Sequence, residues 1–233
     1  MNILILNGSP KENSSTMMLT RTFLKGMGVS ESDTVTEVKS FHKNIQFCQG
    51  DLSCWFRPDH QCILNDDMGE LLNLMVDSDY IIWSFPLHSH GMPASLKAIW
   101  DRTIAFLNIK MRAIGQRVEH EKTFDLSRKK HIFIVGGGYP YYPENFEGLK
   151  LQVQTYLGNP EILCICETAL LDITAPDFDA VKNKLFAAIE QAGVEFLQKG
   201  HISAETVTEV QKPMIPNDNY LALMNQIAAN APK

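Results

Sequence analysis

Five short runs of apolar and β-branched residues recur along the chain, separated by longer amphipathic or polar stretches. The runs cover residues 3–6, 34–41, 79–84, 131–135 and 162–171. A short apolar run without charge is typical of a strand buried on both faces of a parallel sheet. Some of the runs also contain polar residues, and there the β-branched residues favour a strand. The runs therefore predict five strands.

Between the runs, apolar residues recur three and four positions apart, which is the spacing of amphipathic helices. Residues 108–129 are polar, and we interpret them as an excursion or a helix extension. Strands alternating with helices predict an α/β fold, a doubly wound parallel sheet with helices on both faces. The predicted helices cover residues 15–26, 67–76, 93–107, 144–157 and 177–199, with a short one over 220–227 in the tail.

A polar loop follows the first strand and leads into the first helix. Gly8 allows a tight turn, and hydroxyl, amide and ammonium groups follow it. The first N–H groups of a helix are unpaired and attract negative charge, so this stretch predicts a phosphate site. A plain turn with a serine or Asx helix cap would use the same residue types. The polar residues of the loop are Ser9, Lys11, Asn13, Ser14, Ser15 and Thr16.

Two further unusual loops follow the third and fourth predicted strands. One covers residues 85–93 and the other begins with Gly136, Gly137, Gly138 and Tyr139. In a doubly wound sheet the carboxyl ends of the strands carry the ligand site, near the point where strand order reverses. The three loops are therefore expected to meet at one place. Neither G-x-x-x-x-G-K-[ST] nor G-x-G-x-x-G follows the first strand, which disfavours a nucleoside triphosphate or Rossmann-bound dinucleotide.

Both the first and the second loop resemble a known family. Residues 8–16, GSPKENSST, resemble the G-S-P-R/K-x-x-S-x-T loop of the flavodoxin-like NAD(P)H-dependent FMN reductases and their iron–sulfur flavoprotein relatives. Residues 86–102 are similar to the family's P-x-Y-x-x-x-M-P-A-x-L-K-x-x-x-D-R pattern. His88 stands where the family has an aromatic residue that stacks on the flavin ring.

The resemblance implies the flavodoxin-like strand order 2-1-3-4-5 and an FMN site. The FMN-binding domain would cover residues 1–200, and residues 201–233 would form an extension that packs on this domain or on a partner subunit. The first loop would hold the FMN phosphate. The other two would meet the flavin ring through Pro86, Leu87, His88, Ser89, Gly91, Met92, Gly136, Gly137, Gly138 and Tyr139.

The resemblance also implies an oxidoreductase that uses NADPH or NADH as co-substrate. A hydride would pass to the flavin and then to a small acceptor such as a quinone or free flavin, in a ping-pong sequence at one site. The flavin carries this chemistry, so no catalytic side chain is required, although His88 is a candidate. Two alternatives stay open: a flavodoxin-like electron carrier without turnover, and an iron–sulfur flavoprotein.

Three cysteines in the stretch after the second strand bear on the last alternative. Cys48, Cys54 and Cys62 precede Asp66-Asp67-Met68 in a spacing that resembles the cysteine pattern of iron–sulfur flavoproteins. Asp51 stands where the second cysteine of that pattern would be. A four-iron cluster uses four thiolates, so we expect no metal here. A cluster, or a zinc site that adds His60 to the three cysteines, are the alternatives.

Composition limits the partners and the cellular compartment that we expect for the protein. The 233 residues carry a formal net charge of −6 with no basic block, so we expect no nucleic-acid partner. No apolar run is long enough to span a membrane and no signal peptide is visible, so we expect a cytoplasmic protein without a membrane partner. The five cysteines fit a reducing compartment. Apolar residues in the tail after Gly200 lead us to expect a homodimer.

Overall fold

A computed structural model of the protein describes residues 1–59, 61–174 and 176–230. Five parallel strands form the central sheet, and two antiparallel strands form a separate hairpin. The strands are β1 (Asn2–Asn7), β2 (Thr34–Lys39), β3 (Tyr80–Pro86), β4 (Leu107–Ile114), β5 (Arg117–Lys122), β6 (Lys130–Gly136) and β7 (Glu161–Ile165). The sheet order is β2-β1-β3-β6-β7, which is 2-1-3-4-5 when only its own strands are counted. This confirms the predicted flavodoxin-like sheet.

Helices cover both faces of the sheet, and each face has its own apolar core. Successive side chains of a strand point to opposite faces. Leu4 and Leu6 therefore enter one core, while Ile3 and Ile5 enter the other. The helices are α1 (Ser15–Gly26), α2 (Met68–Asp77), α3 (Ala94–Arg102), α4 (Glu144–Leu157), α5 (Pro176–Lys199), α6 (Ala204–Gln211) and α7 (Asn217–Ala229).

The fold departs from the sequence prediction in two connecting segments. The excursion at 108–129 is mostly the exposed β4–β5 hairpin, and the alternative of a helix extension is wrong. The last predicted strand extends too far, because β7 ends at Ile165 and a 3₁₀ turn covers Thr168–Asp172. The backbone leaves the strand direction at Glu167, whose φ is +54°. This early exit turns the segment towards the carboxyl edge of the sheet.

The segment after Gly200 packs against the α1–α5 face of the sheet. Val210, Met214 and Tyr220 are buried in the core that also contains Ile165 and Phe196. The sequence predicted only the helix around Tyr220–Ile227, and α6 was missed. Within the described part of the chain, no helix combines the length and apolar character needed to cross a membrane.

Helices α1 and α5 touch backbone to backbone. A Cβ atom on Gly26 would lie 1.9 Å from the carbonyl oxygen of Glu190. A Cβ atom on Gly193 would lie 2.1 Å from the carbonyl oxygen of Phe23. Both distances are far below any real contact, so the crossing requires glycine on each helix. The helix that begins at the first loop is thereby fixed to the longest helix of the fold.

Candidate functional site

The loop between β1 and α1 is shaped by side chains that bond to their own backbone. The Asn7 side-chain oxygen accepts from the Ser9 N–H at 2.9 Å, and Ser9 Oγ accepts from the Lys11 N–H at 3.3 Å. Such Asx and Ser turns hold a short loop without secondary structure. The Gly8 N–H donates to the Ser84 carbonyl at 2.8 Å, which ties the loop to β3.

Helix α1 begins with a hydroxyl cap. Ser14 Oγ accepts from the Met17 N–H at 3.4 Å, and the hydroxyls of Ser14 and Thr16 lie 2.7 Å apart. The first-turn N–H groups of Ser15 and Thr16 precede the first intrahelical bonds, so they have no acceptor within the helix. Together with the positive end of the helix dipole, they make this end of α1 suitable for an anion.

The loop after β3 contains a tight reverse turn. His88 and Gly91 exchange two backbone hydrogen bonds, of 3.0 and 2.9 Å. The two residues between them, Ser89 and His90, have φ values of +46° and +63°. A type I′ turn requires positive φ at both central positions, which glycine or asparagine adopts more readily. The turn thus holds two non-glycine residues in a strained conformation at a rim of the site.

The loop after β6 is tied to both neighbouring strands. The Leu87 N–H donates to the Gly136 carbonyl at 2.8 Å, and the Gly137 N–H donates to the Ile165 carbonyl at 2.7 Å. A Cβ atom on Gly136 would lie 2.7 Å from Thr16 Cγ2, so the first and third loops are in close contact. Gly138 is different, because a Cβ atom there would meet nothing within 4 Å. The loop is therefore crowded at its base and open at Gly138.

A fourth segment, the 3₁₀ turn after β7, completes the site and was not predicted. Asp172 accepts a hydrogen bond of 3.0 Å from the Ser15 hydroxyl. Its second oxygen lies 3.7 Å from the ammonium of Lys11. Thr168 Oγ1 donates to the Gly137 carbonyl at 3.1 Å. The extension of the last strand to residue 171 in the sequence prediction concealed this turn.

The four segments enclose a cleft of about 320 Å³ at the carboxyl edge of the sheet. A smaller pocket of about 220 Å³ adjoins it through Leu87 and Gly138. The cleft is lined by Ser9, Pro10, Lys11, Ser14, Ser15, Thr16, Pro86, Leu87, His88, Gly136, Gly138, Thr168, Ala169 and Asp172. The adjoining pocket is lined by Leu87, Ser89, His90, Gly137, Gly138, Tyr139, Asn145 and Phe146.

Most residues selected from the sequence line one of these two spaces, but three do not. Asn13 lines a separate groove along α1, with Met18 and Arg21. Gly91 closes the reverse turn through its bonds with His88. The Met92 side chain is buried in the apolar core, only 8% exposed, instead of facing the cleft. The pattern selected a loop that does line the cleft, but it could not distinguish a lining position from a core position.

The cysteine segment does not present the donor set of a four-iron cluster. Cys54 is buried, and burial together with the nearby Cys62, Asp51 and Cys48 raises the pKa of its thiol. The Asp51 carboxylate accepts from the N–H and the hydroxyl of Ser53 and so serves a local turn. Among the described residues, no three His, Cys, Asp or Glu side chains could hold one metal ion. His60, the fourth ligand of the zinc alternative, lies outside the described residues.

A buried ion pair attaches this segment to α3. Arg102 Nη1 donates to a carboxylate oxygen of Asp66, and both side chains are almost fully buried. Burial acts to raise the pKa of Asp66, but the hydrogen bonds from Arg102, Gln46 and Met68 outweigh it and lower the pKa. Arg102 of the second sequence motif therefore has a structural role, since it holds the cysteine segment against the domain.

Comparison with known proteins assigns a family to this arrangement. The profile of the NADPH-dependent FMN reductase family matches residues 1–137. This chain belongs to that family. The match covers the segments after β1 and β3, and it ends at Gly137, within the segment after β6. The fourth segment, which carries Asp172, lies beyond it.

Two curated relatives of this chain are iron–sulfur flavoproteins. One, from Methanocaldococcus jannaschii, is 31% identical over 104 residues, which are 44% of this chain and 52% of that protein. Another, from Archaeoglobus fulgidus, is 28% identical over 99 residues, which are 42% of this chain and 44% of that protein. The matches thus span about half the length of these relatives.

Solved structures confirm the fold of the family member. An FMN-dependent NADH-azoreductase from Bacillus anthracis, in complex with FMN, matches with a TM-score of 0.57 and 17% identity, covering 85% of this chain and all of that one. The NAD(P)H:quinone oxidoreductase from Methanothermobacter marburgensis matches with a TM-score of 0.59 and 15% identity, covering 86% of this chain and 99% of that one. At such identities the likeness concerns the fold alone.

Proposed function

We propose that this protein binds FMN in the cleft and uses it to oxidise NADPH or NADH, with a small molecule such as a quinone or free flavin as the electron acceptor. The proposal agrees with the family match and with the reductases among the structural neighbours. The observation that carries it is that one cleft joins the hydroxyl-rich first turn of α1, which suits an anion, to the open loops after β3 and β6.

The anion-binding end fits the phosphate of FMN. The first turn of α1 offers backbone N–H groups, and the hydroxyls of Ser9, Ser14 and Thr16 line the same space. Lys11 adds a positive charge, although Asp172 partly offsets it. These donors suit a terminal phosphate monoester.

The other end fits a flat ring system. Pro86, Leu87 and His88 line this part of the cleft, and Gly136 and Gly138 of the neighbouring loop line it as well. The missing side chain at Gly138 leaves room close to the backbone. We infer that these two loops hold the isoalloxazine ring between them, with Ser89 and Tyr139 at the edge of the adjoining pocket.

A bound flavin would supply two-electron chemistry, since it can accept a hydride from a reduced nicotinamide and pass it to a second substrate. The protein residues bind and orient the reactants, which must approach within van der Waals contact. His88 is exposed at the cleft and no larger aromatic side chain occupies its position. We infer that nicotinamide and acceptor use this open side in turn, which is a ping-pong sequence.

The curated relatives are named iron–sulfur flavoproteins, but we propose no iron–sulfur cluster for this chain. Asp51 is engaged with Ser53, and the cysteine segment lacks a fourth thiol at the matching position. We therefore propose a flavin-only protein.

FMN binding is tested by adding FMN in excess to flavin-free protein and measuring the melting temperature. A ligand that binds only the native state must raise it. The double variant Ser9→Ala/Thr16→Ala should weaken binding of FMN more than that of riboflavin, which has no phosphate. Thr155→Ala serves as a matched control, because this exposed hydroxyl on α4 bonds to the Leu151 carbonyl of its own helix and does not line the cleft. No thermal stabilisation by FMN would refute the proposal.

Turnover is tested by mixing the FMN-loaded protein with NADPH or NADH under anaerobic conditions. We expect rapid loss of the flavin absorbance, recovery on addition of a quinone or free flavin, and parallel lines in double-reciprocal plots. If neither nucleotide bleaches the flavin, the protein is an electron carrier and the enzymatic proposal is wrong.

A further inference from the structure

We propose that Tyr220 and Glu167 position the loop at residues 137–139 for flavin binding, so that the C-terminal helix α7 is a working part of the cofactor site. The inference rests on the proposed FMN function. The family profile ends at residue 137, so neither residue lies in the matched region.

The first contact comes from α7. The Tyr220 hydroxyl donates a hydrogen bond to the carbonyl oxygen of Gly138, 82 positions earlier in the chain. Tyr220 is only 7% exposed, so its ring is held by the apolar core while its hydroxyl reaches the loop. A buried phenol with one fixed acceptor is a rigid link, because the ring cannot move without leaving the core.

The second contact comes from Glu167. Its backbone N–H donates to the Tyr139 carbonyl at 3.0 Å. Its carboxylate accepts from the N–H groups of Met214 and Ile215, at 2.6 and 3.3 Å. One residue therefore bonds the loop through its backbone and the segment before α7 through its side chain.

The conformation of Glu167 is costly, which indicates a function for it. Its φ of +54° is unfavourable for a residue with a side chain. The side chain is fully buried, and among the described residues its Oε1 has no hydrogen-bond partner. Burial raises the pKa of this carboxyl, although the Met214 and Ile215 N–H groups act against the shift. Backbone strain and an unpaired buried oxygen of this kind persist where the surrounding structure requires them.

The loop depends on these contacts because its tip has little other support. Gly137 is fixed by its N–H bond to Ile165 and by the Thr168 N–H, which donates to its carbonyl at 3.0 Å. Beyond it, Gly138 has open space where a side chain would be, and the Tyr139 side chain is 70% exposed. The bonds from Tyr220 and Glu167 are therefore what holds the carbonyl groups of these two residues in place.

The test uses Tyr220→Phe, which removes one hydroxyl and keeps the ring in the core. In the flavin-free protein, we expect faster amide hydrogen exchange in the peptide covering residues 136–142. Loss of one neutral hydrogen bond should weaken binding of both FMN and riboflavin by about three- to tenfold. An equal loss for the two ligands distinguishes this loop from the phosphate end, where only FMN binding should change.

Tyr156→Phe is the matched control. Its hydroxyl also bonds within the fold, donating to the Thr103 carbonyl at 3.2 Å, but it lines neither the cleft nor the adjoining pocket. It should leave exchange in residues 136–142 and both dissociation constants unchanged. Glu167→Ala should act like Tyr220→Phe, and Glu167→Gln, which keeps an acceptor for Met214, should restore most of the affinity.

The outcomes separate this inference from the function on which it rests. If the wild-type protein binds FMN and Tyr220→Phe binds it equally well, the positioning role is wrong and the proposed function stands. If the wild-type protein binds no flavin, both are wrong. If Tyr156→Phe weakens flavin binding as much as Tyr220→Phe does, the inference is also overturned. Loss of a tyrosine hydroxyl anywhere in the fold would then have the same effect.

Discussion

The hydroxyl of Ser15 donates a hydrogen bond to the carboxylate of Asp172 across the mouth of the loop between β1 and α1. The same carboxylate faces Lys11, so an acidic group interacts with both a hydroxyl and the ammonium of a site suited to an anion. The Asp172 side chain is about half exposed, which allows it to move aside. Asp172 would therefore oppose the phosphate that we propose for this loop.

Asp172→Asn should strengthen FMN binding because it removes a like charge beside the phosphate. We expect a decrease of about three- to tenfold in the FMN dissociation constant at low salt, smaller at high salt where exposed charges are screened. Riboflavin affinity should not change. Flavin fluorescence quenching measures both constants, and Asp179→Asn, an exposed aspartate on α5, is the control. Weaker FMN binding by Asp172→Asn would show that the carboxylate organises the loop instead.

Gly8→Ala should destabilise the protein, because Gly8 has no space for a side chain. An added Cβ atom would lie 2.4 Å from Leu96 Cδ1 and 2.8 Å from Phe85 Cβ. Crowding of this kind typically costs about 1–3 kcal/mol of unfolding free energy. Gly138→Ala is the paired control, since its Cβ atom would meet nothing within 4 Å, and it should change the free energy of unfolding by less than about 0.5 kcal/mol. Urea denaturation compares the two, and equal stability would contradict the close packing at Gly8.

Stability should fall between pH 7 and pH 5 because of His131. Burial lowers the pKa of this imidazole from 6.5 to about 4. Its Nδ1 accepts from Trp83 Nε1 at 3.2 Å, and its Nε2 lies 2.9 Å from the Leu126 carbonyl, so the neutral ring satisfies both partners. The unfolded chain takes up a proton near pH 6.5 and the folded chain does not, so acid favours unfolding.

The expected loss from this group is about 2 kcal/mol of unfolding free energy at pH 5 relative to pH 7. His131→Gln should be less stable at pH 7 but should lose less on acidification. His201→Gln, which changes an exposed histidine, should keep the wild-type pH dependence. Urea titrations at several pH values give these slopes, and identical slopes for His131→Gln and the wild type would disprove the assignment.

The protein should contain no iron–sulfur cluster. The physical reason is the donor set, in which Asp51 stands at a cysteine position and bonds to Ser53 instead. Iron and acid-labile sulfide should both be far below one per chain in protein purified anaerobically. About four of each per chain would reverse this prediction and support the iron–sulfur flavoprotein alternative.

The sequence was sufficient to predict the central sheet and three walls of the cleft. Runs such as residues 3–6 have no charge and can only be buried, and the glycine and hydroxyl residues after them mark a turn into a helix. The carboxyl ends of parallel strands must then meet, which brings Ser9, His88 and Gly136 together. Predicting the sheet and these three walls requires only local chemistry and strand topology.

The fourth wall could not be predicted, because long-range contacts determine it. The segment from Ile162 to Leu171 is apolar enough to form one strand, but Glu167 turns the backbone where its carboxylate meets Met214 and Ile215. Met92 was predicted to meet the ligand but is buried in the core. The reason is related, since only packing decides which side of a loop enters the core. The homodimer and the acceptor stay predictions.

The backbone contact between α1 and α5 couples the first turn of α1 to a distant residue on α5. Ser15, at the start of α1, is about 16 Å along the helix axis from Gly26, where the helix meets Gly193. A helix moves largely as one body, so a methyl group at Gly193 would shift the N–H and hydroxyl donors in the first turn of α1. Among the described residues, α5 contributes none to the lining of the cleft. If the protein binds FMN as proposed, substitution of that one glycine should therefore weaken flavin binding without changing any residue that lines the cleft.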